Sequence, residues 1–435
     1  VSEEVTRVPH RLAAPLARLL AGCLCLLLIR PPLAADRAVV LTPGARRALE
    51  TLPAGQMLSV IVRLAGEVDP TSGQADWVTR LREHAAISQA AIREWLRLRE
   101  ADGRVRQVDS FWIFNGLAVT ASRDVILELA GRPDVVRIAL DEIFLAPARA
   151  GLGVDSAPVA ENLVLIGAPQ AWARGFTGKG IVVALLDSGV DILHPELAAR
   201  WRGGSNSWFD PYGQHIDEPF DSSGHGTQTL GVILGGDASG TRIGVAPDAQ
   251  WIAAKVFNDR DRATASAIHK ALQWVLDPDG DPATPDAPHV VNNSWSFTNV
   301  GCDFEFAEDL RALRAAGILP VFAAGVRDPV SPANTPEAFA VGALAEATTP
   351  LDDSARGPSR CGDVSAIYPH AVAPGANILT TDRFGLYAAL DGTSLAAAHV
   401  SGALALLLDA APRLSPDEQA DLLTGTAVDL GDPGP

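Results

Sequence analysis

At 435 residues, with 47% hydrophobic and 20% charged side chains, the chain has a soluble globular composition and room for two or three domains. Its 52 acidic against 35 basic residues leave a formal charge of −17, which excludes the basic stripe that a nucleic-acid surface needs. The chain begins with Arg7, Arg11 and Arg18, followed by an apolar run over 19–29 and the small residues Ala34-Ala35. This is the pattern of an export signal over 1–35, and its apolar core is shorter than the ~20 residues of a stable membrane span. Leu20-Ala21-Gly22-Cys23 has the shape of a lipid-attachment motif. The apolar run continues past Cys23, however, so secretion is expected rather than a lipid anchor. Cys302 and Cys361 are then the remaining cysteines, an even count that suggests one disulfide in an exported protein. Two buried thiols are the alternative, and no spacing matches a zinc site.

Residues 36–150 have a pattern of their own. A strand is expected over 57–64. A helix over 75–100 follows, with Val78, Leu81, Ala85, Ile92 and Leu96 on one stripe. Strands over 105–108 and 114–120, a short helix over 124–129 and a last strand over 135–140 complete the order βαββαβ, the ferredoxin-like arrangement. A segment rich in Ala, Pro and Gly, 145–158, reads as a linker.

Residues 151–435 alternate apolar runs with helical stretches. Strands covered on both faces are expected over 181–186, 251–256, 290–292 and 318–323, with helices over 265–275 and 305–316. The alternation implies an α/β fold, a parallel sheet with helices on both faces, whose functional residues lie beyond the carboxyl ends of the strands.

Asp187 falls at such an end, in Leu185-Leu186-Asp187-Ser188-Gly189, where a turn-forming Asp is the plainer reading. His225 stands between Gly224 and Gly226, ahead of a helix-like stretch over 229–234, in the first turn of that helix. Ser394 follows Gly392-Thr393 and opens an apolar helix over 395–408, where free backbone N–H groups favour an oxyanion and capping is the plainer role. His399 reads as a packed core histidine. An acid, an imidazole and a hydroxyl are the parts of a serine nucleophile.

Together with His194-Pro195, Gly244-Val245-Ala246-Pro247, Asn293-Ser294-Trp295 and Ser331-Pro332-Ala333-Asn334, these segments resemble the subtilisin-like serine peptidases over 161–430. The resemblance implies a triad of Asp187, His225 and Ser394, in the chain order Asp, His, Ser. It implies a peptide cleft lined by Ser294, Trp295, Ser296 and Ala323-Ala324-Gly325. Residues 36–150 would be an inhibitory propeptide that assists folding, removed between 144 and 161, and 151–435 the peptidase domain. The expected protein is thus a secreted serine endopeptidase made as a zymogen, with protein or peptide substrates.

Four departures qualify this. Val326 stands where the family carries an Asn whose amide donates to the oxyanion, which leaves the Ser394 N–H and the Thr393 hydroxyl, or a replacement from Arg327. A subtilisin lacking that Asn loses ~10²–10³ in kcat. The alternative function is therefore an impaired homologue that binds peptides. Ser296 replaces a frequent Gly and is expected to narrow the first specificity pocket; Ala398 replaces a Pro without penalty. The chain stops at Asp432-Pro433-Gly434-Pro435, where the family continues into a closing segment, so either a truncated sequence or a domain without its last packing layer is expected. No cofactor is needed for the chemistry. The family implies structural calcium, and Asp277, Asp279 and Asp281 suggest it, but a solvated acidic loop is the plainer reading and no metal ligand is assigned.

Overall fold

The structure, a computed structural model, describes residues 40–68, 74–147, 151–152, 159–297, 301–359, 361 and 367–430. The export signal expected over 1–35 lies outside these residues. After α1 (Pro43–Thr51) come β1 (Met57–Leu64), α2 (Gln74–Ser88), α3 (Ala90–Ala101), β2 (Val105–Phe111), β3 (Gly116–Ser122), α4 (Arg123–Ala130) and β4 (Val135–Leu140). The four strands form an antiparallel sheet in the order β2-β3-β1-β4, the ferredoxin-like arrangement. Alternation along β1 explains why both of its faces are apolar. Val60, Val62 and Leu64 pack on Ile92, Leu96, Val125 and Ile126 of this layer's own helices. Ile61 faces the other way, into a cluster with Phe114, Ile268, Phe306 and Leu310 from later in the chain. Residues 39–435 accordingly form one compact unit.

The expected helix over 75–100 is two helices that meet at Gln89. Its buried side chain turns inward to donate to the Phe111 carbonyl (2.8 Å) and Asn115 (3.2 Å). The expected linker over 145–158 is partly strand. Leu145 ends β5 (Ile143–Leu145), and Gly151–Leu152 forms β6.

The second layer opens with α5 (Glu161–Leu165) and α6 (Ala168–Ala173). It continues through β7 (Val182–Asp187), β8 (Trp208–Phe209), α7 (His225–Leu234), β9 (Gln250–Lys255), β10 (Arg262–Thr264) and α8 (Ala265–Leu276). Then come β11 (Val290–Asn293), α9 (Ala307–Ala315), β12 (Pro320–Ala323), β13 (Phe339–Glu346), β14 (Thr349–Pro350), the paired β15 (Gly357–Pro358) and β16 (Ile367–Tyr368), and β17 (Ala371–Pro374). The chain closes with β18 (Ile378–Asp382), β19 (Leu386–Leu390), α10 (Thr393–Ala410) and α11 (Pro416–Gly425). An eight-stranded sheet runs β14-β13-β12-β11-β7-β9-β8, with β17 also on β13, and every pair is parallel except β13 with β14. Continuous apolar strands such as Val183-Ala184-Leu185-Leu186 are buried on both faces, because helices cover each. Helix α10 is apolar and long enough to cross a bilayer, but it is mostly buried and serves as the central core helix. Cys302 and Cys361 form a disulfide.

Candidate active site

Asp187 is the last residue of β7 and is fully buried. Its Oδ1 accepts from the Ser188 N–H (2.7 Å) and lies 2.8 Å from His225 Nδ1. The turn reading of Asp187 thus describes half of what this carboxylate does. His225 opens α7 after Gly224, which is in the left-handed region at φ 98°. A carboxylate at Nδ1 holds the ring proton there and leaves Nε2 as an acceptor. Nε2 is 3.1 Å from Ser394 Oγ. Ser394 is the second residue of α10; Gly392 occupies the cap position and no side chain caps the helix, so Ser394 has no capping role. Its hydroxyl proton has two acceptors at 3.1 Å, His225 Nε2 and the Ser294 carbonyl.

The segments carrying Asp187 and His225 meet through bare backbone. A Cβ on Gly226 would stand 2.1 Å from the Gly189 carbonyl oxygen, and one on Gly189 would stand 1.9 Å from that of Phe220. A second set of groups fastens the same junction, and reading the sequence assigned no role to any of them. Asp221 accepts from Ser188 Oγ (2.9 Å), the N–H groups of Ser223 (3.0 Å), Gly224 (2.7 Å) and Thr227 (2.9 Å), and the Thr227 hydroxyl (2.6 Å). It neutralises the free N–H groups at the start of α7. Lys255, paired with Asp187 in the ladder, is wholly buried and donates to the Ser188 carbonyl and Ser222 Oγ, both at 2.7 Å. Burial pulls the Lys255 ammonium down from its usual range, against the attraction of Asp221 and Asp259. The legible signal was an Asp four residues before a His that starts a helix.

Beside Ser394 lies a cleft of about 450 Å³, lined by Ser294, Trp295, Ser296, Gly325, Val326, Val330, Thr393 and Pro147 among others. Trp295 contributes little surface: its indole is buried and donates to the Leu186 carbonyl (3.0 Å), so it supports the cleft wall from within. Ser294 Oγ donates to the Ser394 carbonyl (2.9 Å), and Thr393 Oγ1 accepts from the Gly325 N–H (3.3 Å). Ser296 Oγ lies 3.4 Å from where a Cβ on Gly325 would be. Val326 is 64% exposed and offers no donor. Arg327 Nε faces Asp353 at 3.3 Å, and this side chain is not part of the cleft lining. His399 is a core residue: its Nδ1 bonds the Leu395 carbonyl (2.8 Å), and burial pushes its pKa down to about 4. The carboxylates that converge are Asp277, Asp279 and Asp286, with ligand oxygens all within 4.8 Å. Asp281 is replaced by Asp286 in this group, because the intervening turn brings the Asp279 N–H to Asp286 Oδ2 (3.0 Å).

Pro147, from the chain's own earlier segment, is part of the cleft lining. Before it β5 pairs antiparallel with β10, and after it β6 pairs antiparallel with β19, whose Leu390 also lines the cleft. Phe144 stacks on Phe297 with centroids 4.5 Å apart.

Residues 178–435 match the model of the subtilase family. The chain belongs to the subtilase family. This subtilase is 36% identical over 388 residues to Bacillopeptidase F of Bacillus subtilis (strain 168), covering 82% of the present chain and 27% of that protein. It is 31% identical to the subtilisin-like protease PopC of Myxococcus xanthus (strain DK1622), over 68% of this chain and 66% of PopC. To subtilisin E of Bacillus subtilis (strain 168) it is 30% identical, over 77% of this chain and 80% of that one. The subtilase thus spans about a quarter of the length of Bacillopeptidase F.

Proposed function

We propose that the chain is an exported serine endopeptidase, made as a zymogen, that hydrolyses peptide bonds through an acyl-enzyme. The observation that carries this is the continuous line from Asp187 Oδ1 to His225 Nδ1 (2.8 Å) and from His225 Nε2 to Ser394 Oγ (3.1 Å). His225 Nε2 takes the Ser394 proton as Oγ bonds to the substrate carbonyl carbon. The same proton then passes to the departing amine as the C–N bond breaks. Water repeats the sequence on the ester and regenerates the hydroxyl. Asp187 keeps the ring in the reactive tautomer and offsets the imidazolium charge. The Ser394 N–H, in the first turn of α10, is the main oxyanion donor. Without an amide at position 326 the tetrahedral state is held less tightly, and turnover is slowed rather than abolished.

The zymogen reading is supported by Pro147, which lines the cleft where an extended peptide would bind, and by the pairing of the flanking β5 and β6 with β10 and β19. Export is supported by the basic-apolar-small pattern over 1–35 and by the Cys302–Cys361 disulfide, which suits an oxidising compartment. The test is reaction with a fluorophosphonate probe and hydrolysis of a quenched peptide, comparing the natural chain with Ser394→Ala. Modification at Ser394 and turnover by the natural chain alone are expected. Equal behaviour of the two proteins overturns the proposal.

A further inference from the structure

The antiparallel pairing of β6 with β19 has a direction. Gly151 faces Leu390 and Leu152 faces Ala389. A polypeptide that continues in this register passes Ala388, Tyr387 and Leu386 in turn and arrives at the turn 383–385 between β18 and β19. Among the described residues, β6 is the strand paired with this edge of β19, and it covers 389–390 alone. The edge therefore runs on beyond β6, away from the cleft that Leu390 helps to line. Alternation puts Leu386 and Ala388 on the same face as Leu390. Tyr387 points the other way, where its hydroxyl donates to Glu196 (2.9 Å).

The end of that path is apolar and faces water. Leu193, Phe384 and Leu386 are 84%, 80% and 58% exposed. Hydrogen bonds hold their backbones side by side. Asp191 accepts from the Leu193 N–H with one oxygen (3.1 Å) and from the Phe384 N–H with the other (2.7 Å), and His194 Nε2 donates to the Leu386 carbonyl (2.9 Å). Phe384 has a φ of 63°, in the left-handed region that a bulky side chain enters only at a cost, and the bond to Asp191 keeps it there. The adjoining Arg383 donates to the carbonyls of Asp221 and Ser222, so the turn is fastened to the loop that precedes His225. A buried carboxylate clamp would be spent on nothing if these apolar side chains only met solvent. Apolar groups clustered and held outward in this way are the mark of a contact surface.

We infer that Leu193, Phe384 and Leu386 form a docking surface for an apolar or aromatic side chain of a polypeptide substrate, on the side that departs along β19. The inference rests on the peptidase reading of the cleft. The substrate adds a strand to the free edge of β19 and reaches the surface with a residue four or more positions beyond the one that faces Leu390. The chemistry favoured is an extended, unfolded stretch of protein with Leu, Phe or a similar residue at that distance, and not a short peptide. A contact so far from the reacting carbonyl is made equally in the ground state and the transition state. It lowers KM and leaves kcat alone.

The experiment compares three quenched peptides on the natural chain, all sharing the cleaved bond and the residues before it. One ends shortly after that bond. The other two run on for about eight residues, the length of strand that reaches the turn, with Leu and Phe in the last half of one and Ser at the same places in the other. The Leu/Phe peptide is expected to exceed the Ser peptide about tenfold in kcat/KM, through KM, with equal kcat. In the double variant Leu193→Ser, Phe384→Asn the two long peptides are expected to be cleaved alike. Asn accepts a left-handed backbone, so the turn is kept, and Leu193→Ser alone, at an exposed loop position, is expected to remove part of the preference. A ratio near one on the natural chain overturns the inference, as does a tenfold ratio that survives in the variants. The short peptide tests the peptidase reading separately. A chain that cleaves it without preferring Leu/Phe over Ser loses this inference alone, and a chain that cleaves none of the three loses both.

Discussion

On the proposed mechanism the side chain of Val326 leaves the developing oxyanion one donor short, so Val326→Asn is expected to raise kcat by ~10²-fold with little change in KM, measured by steady-state hydrolysis of a peptide substrate. An unchanged kcat would mean that another group already fills that role. Lys255 anchors the turn after Asp187 to the loop before His225 through two hydrogen bonds of 2.7 Å. Lys255→Met strands the Ser188 carbonyl and Ser222 Oγ without their donor, at a cost of about 1–3 kcal/mol in stability, together with a fall in kcat. Urea unfolding and kinetics on the same preparation check both parts. Gly226 is the least forgiving position. A methyl group there meets a backbone oxygen at 2.1 Å, so Gly226→Ala is expected to separate the Asp187 and His225 segments and lose nearly all activity. The residues bearing chemistry were legible because each sat in its own short motif. Asp221, Lys255 and Asp286 were not: their partners lie 33 or more positions away in the cases of the Asp221–Ser188, Lys255–Ser222 and Asp286–Asn206 contacts, and only folding supplies those neighbours.

At the scale of elements, the contact between β1, β4, α8 and the start of α9 holds a buried cluster of charges. Fully buried His269 on α8 lies between Asp309 (2.9 Å) and Glu305 (3.3 Å), with Arg63 of β1 and Arg137 of β4 also on Glu305 and Arg63 reaching Glu308. Phe111, Phe114 and Phe306 close over the ring, and Asp141 also lies within reach of its charge. Burial alone would lower the His269 pKa, but Asp309 and Glu305 outweigh it and raise it above 6.5. Burial would raise Glu305, yet His269, Arg63 and Arg137 hold it down to about 2. The signs follow. The His269 contribution is complete below about pH 6.5 and is lost as pH rises through its raised folded value; that of Glu305 is complete above about pH 4.5 and is lost as pH falls towards 2. Urea midpoints of the Ser394→Ala chain are therefore expected to be highest between these limits and to fall on the alkaline side. His269→Gln should flatten that alkaline fall, and an unaltered profile would contradict the assignment. Sequence periodicity located β1 to β4, β7, β9, β11 and β12 and the helices α2 to α4 and α7 to α10, where alternating or continuous apolar residues leave little choice of period, but it placed nothing at α1, α5, α6, α11, β13 or β17 to β19. It missed the division of the long helix at Gln89 and the strands within 145–152, which arise from side-chain and backbone bonds to distant segments.

For the whole molecule, one sheet of ferredoxin type packs on α8 and α9 beside a parallel sheet, at whose rim Asp187 of β7 meets His225 of α7 and, through it, Ser394 of α10. The architecture was readable from alternation and motif order; how the two parts interlock was not, because the apolar second face of β1 looks like ordinary core until its partners Ile268 and Phe306 are known. On the proposed function, the segment that brings Pro147 to the cleft links the layers through a single chemical event, the cutting of the chain by its own serine. The most direct measurement is intact mass over time for the natural chain beside Ser394→Ala. The natural chain is expected to divide once, between residues 144 and 161, while the alanine chain keeps its full mass. Two chains that both stay whole, or that divide alike, would contradict it.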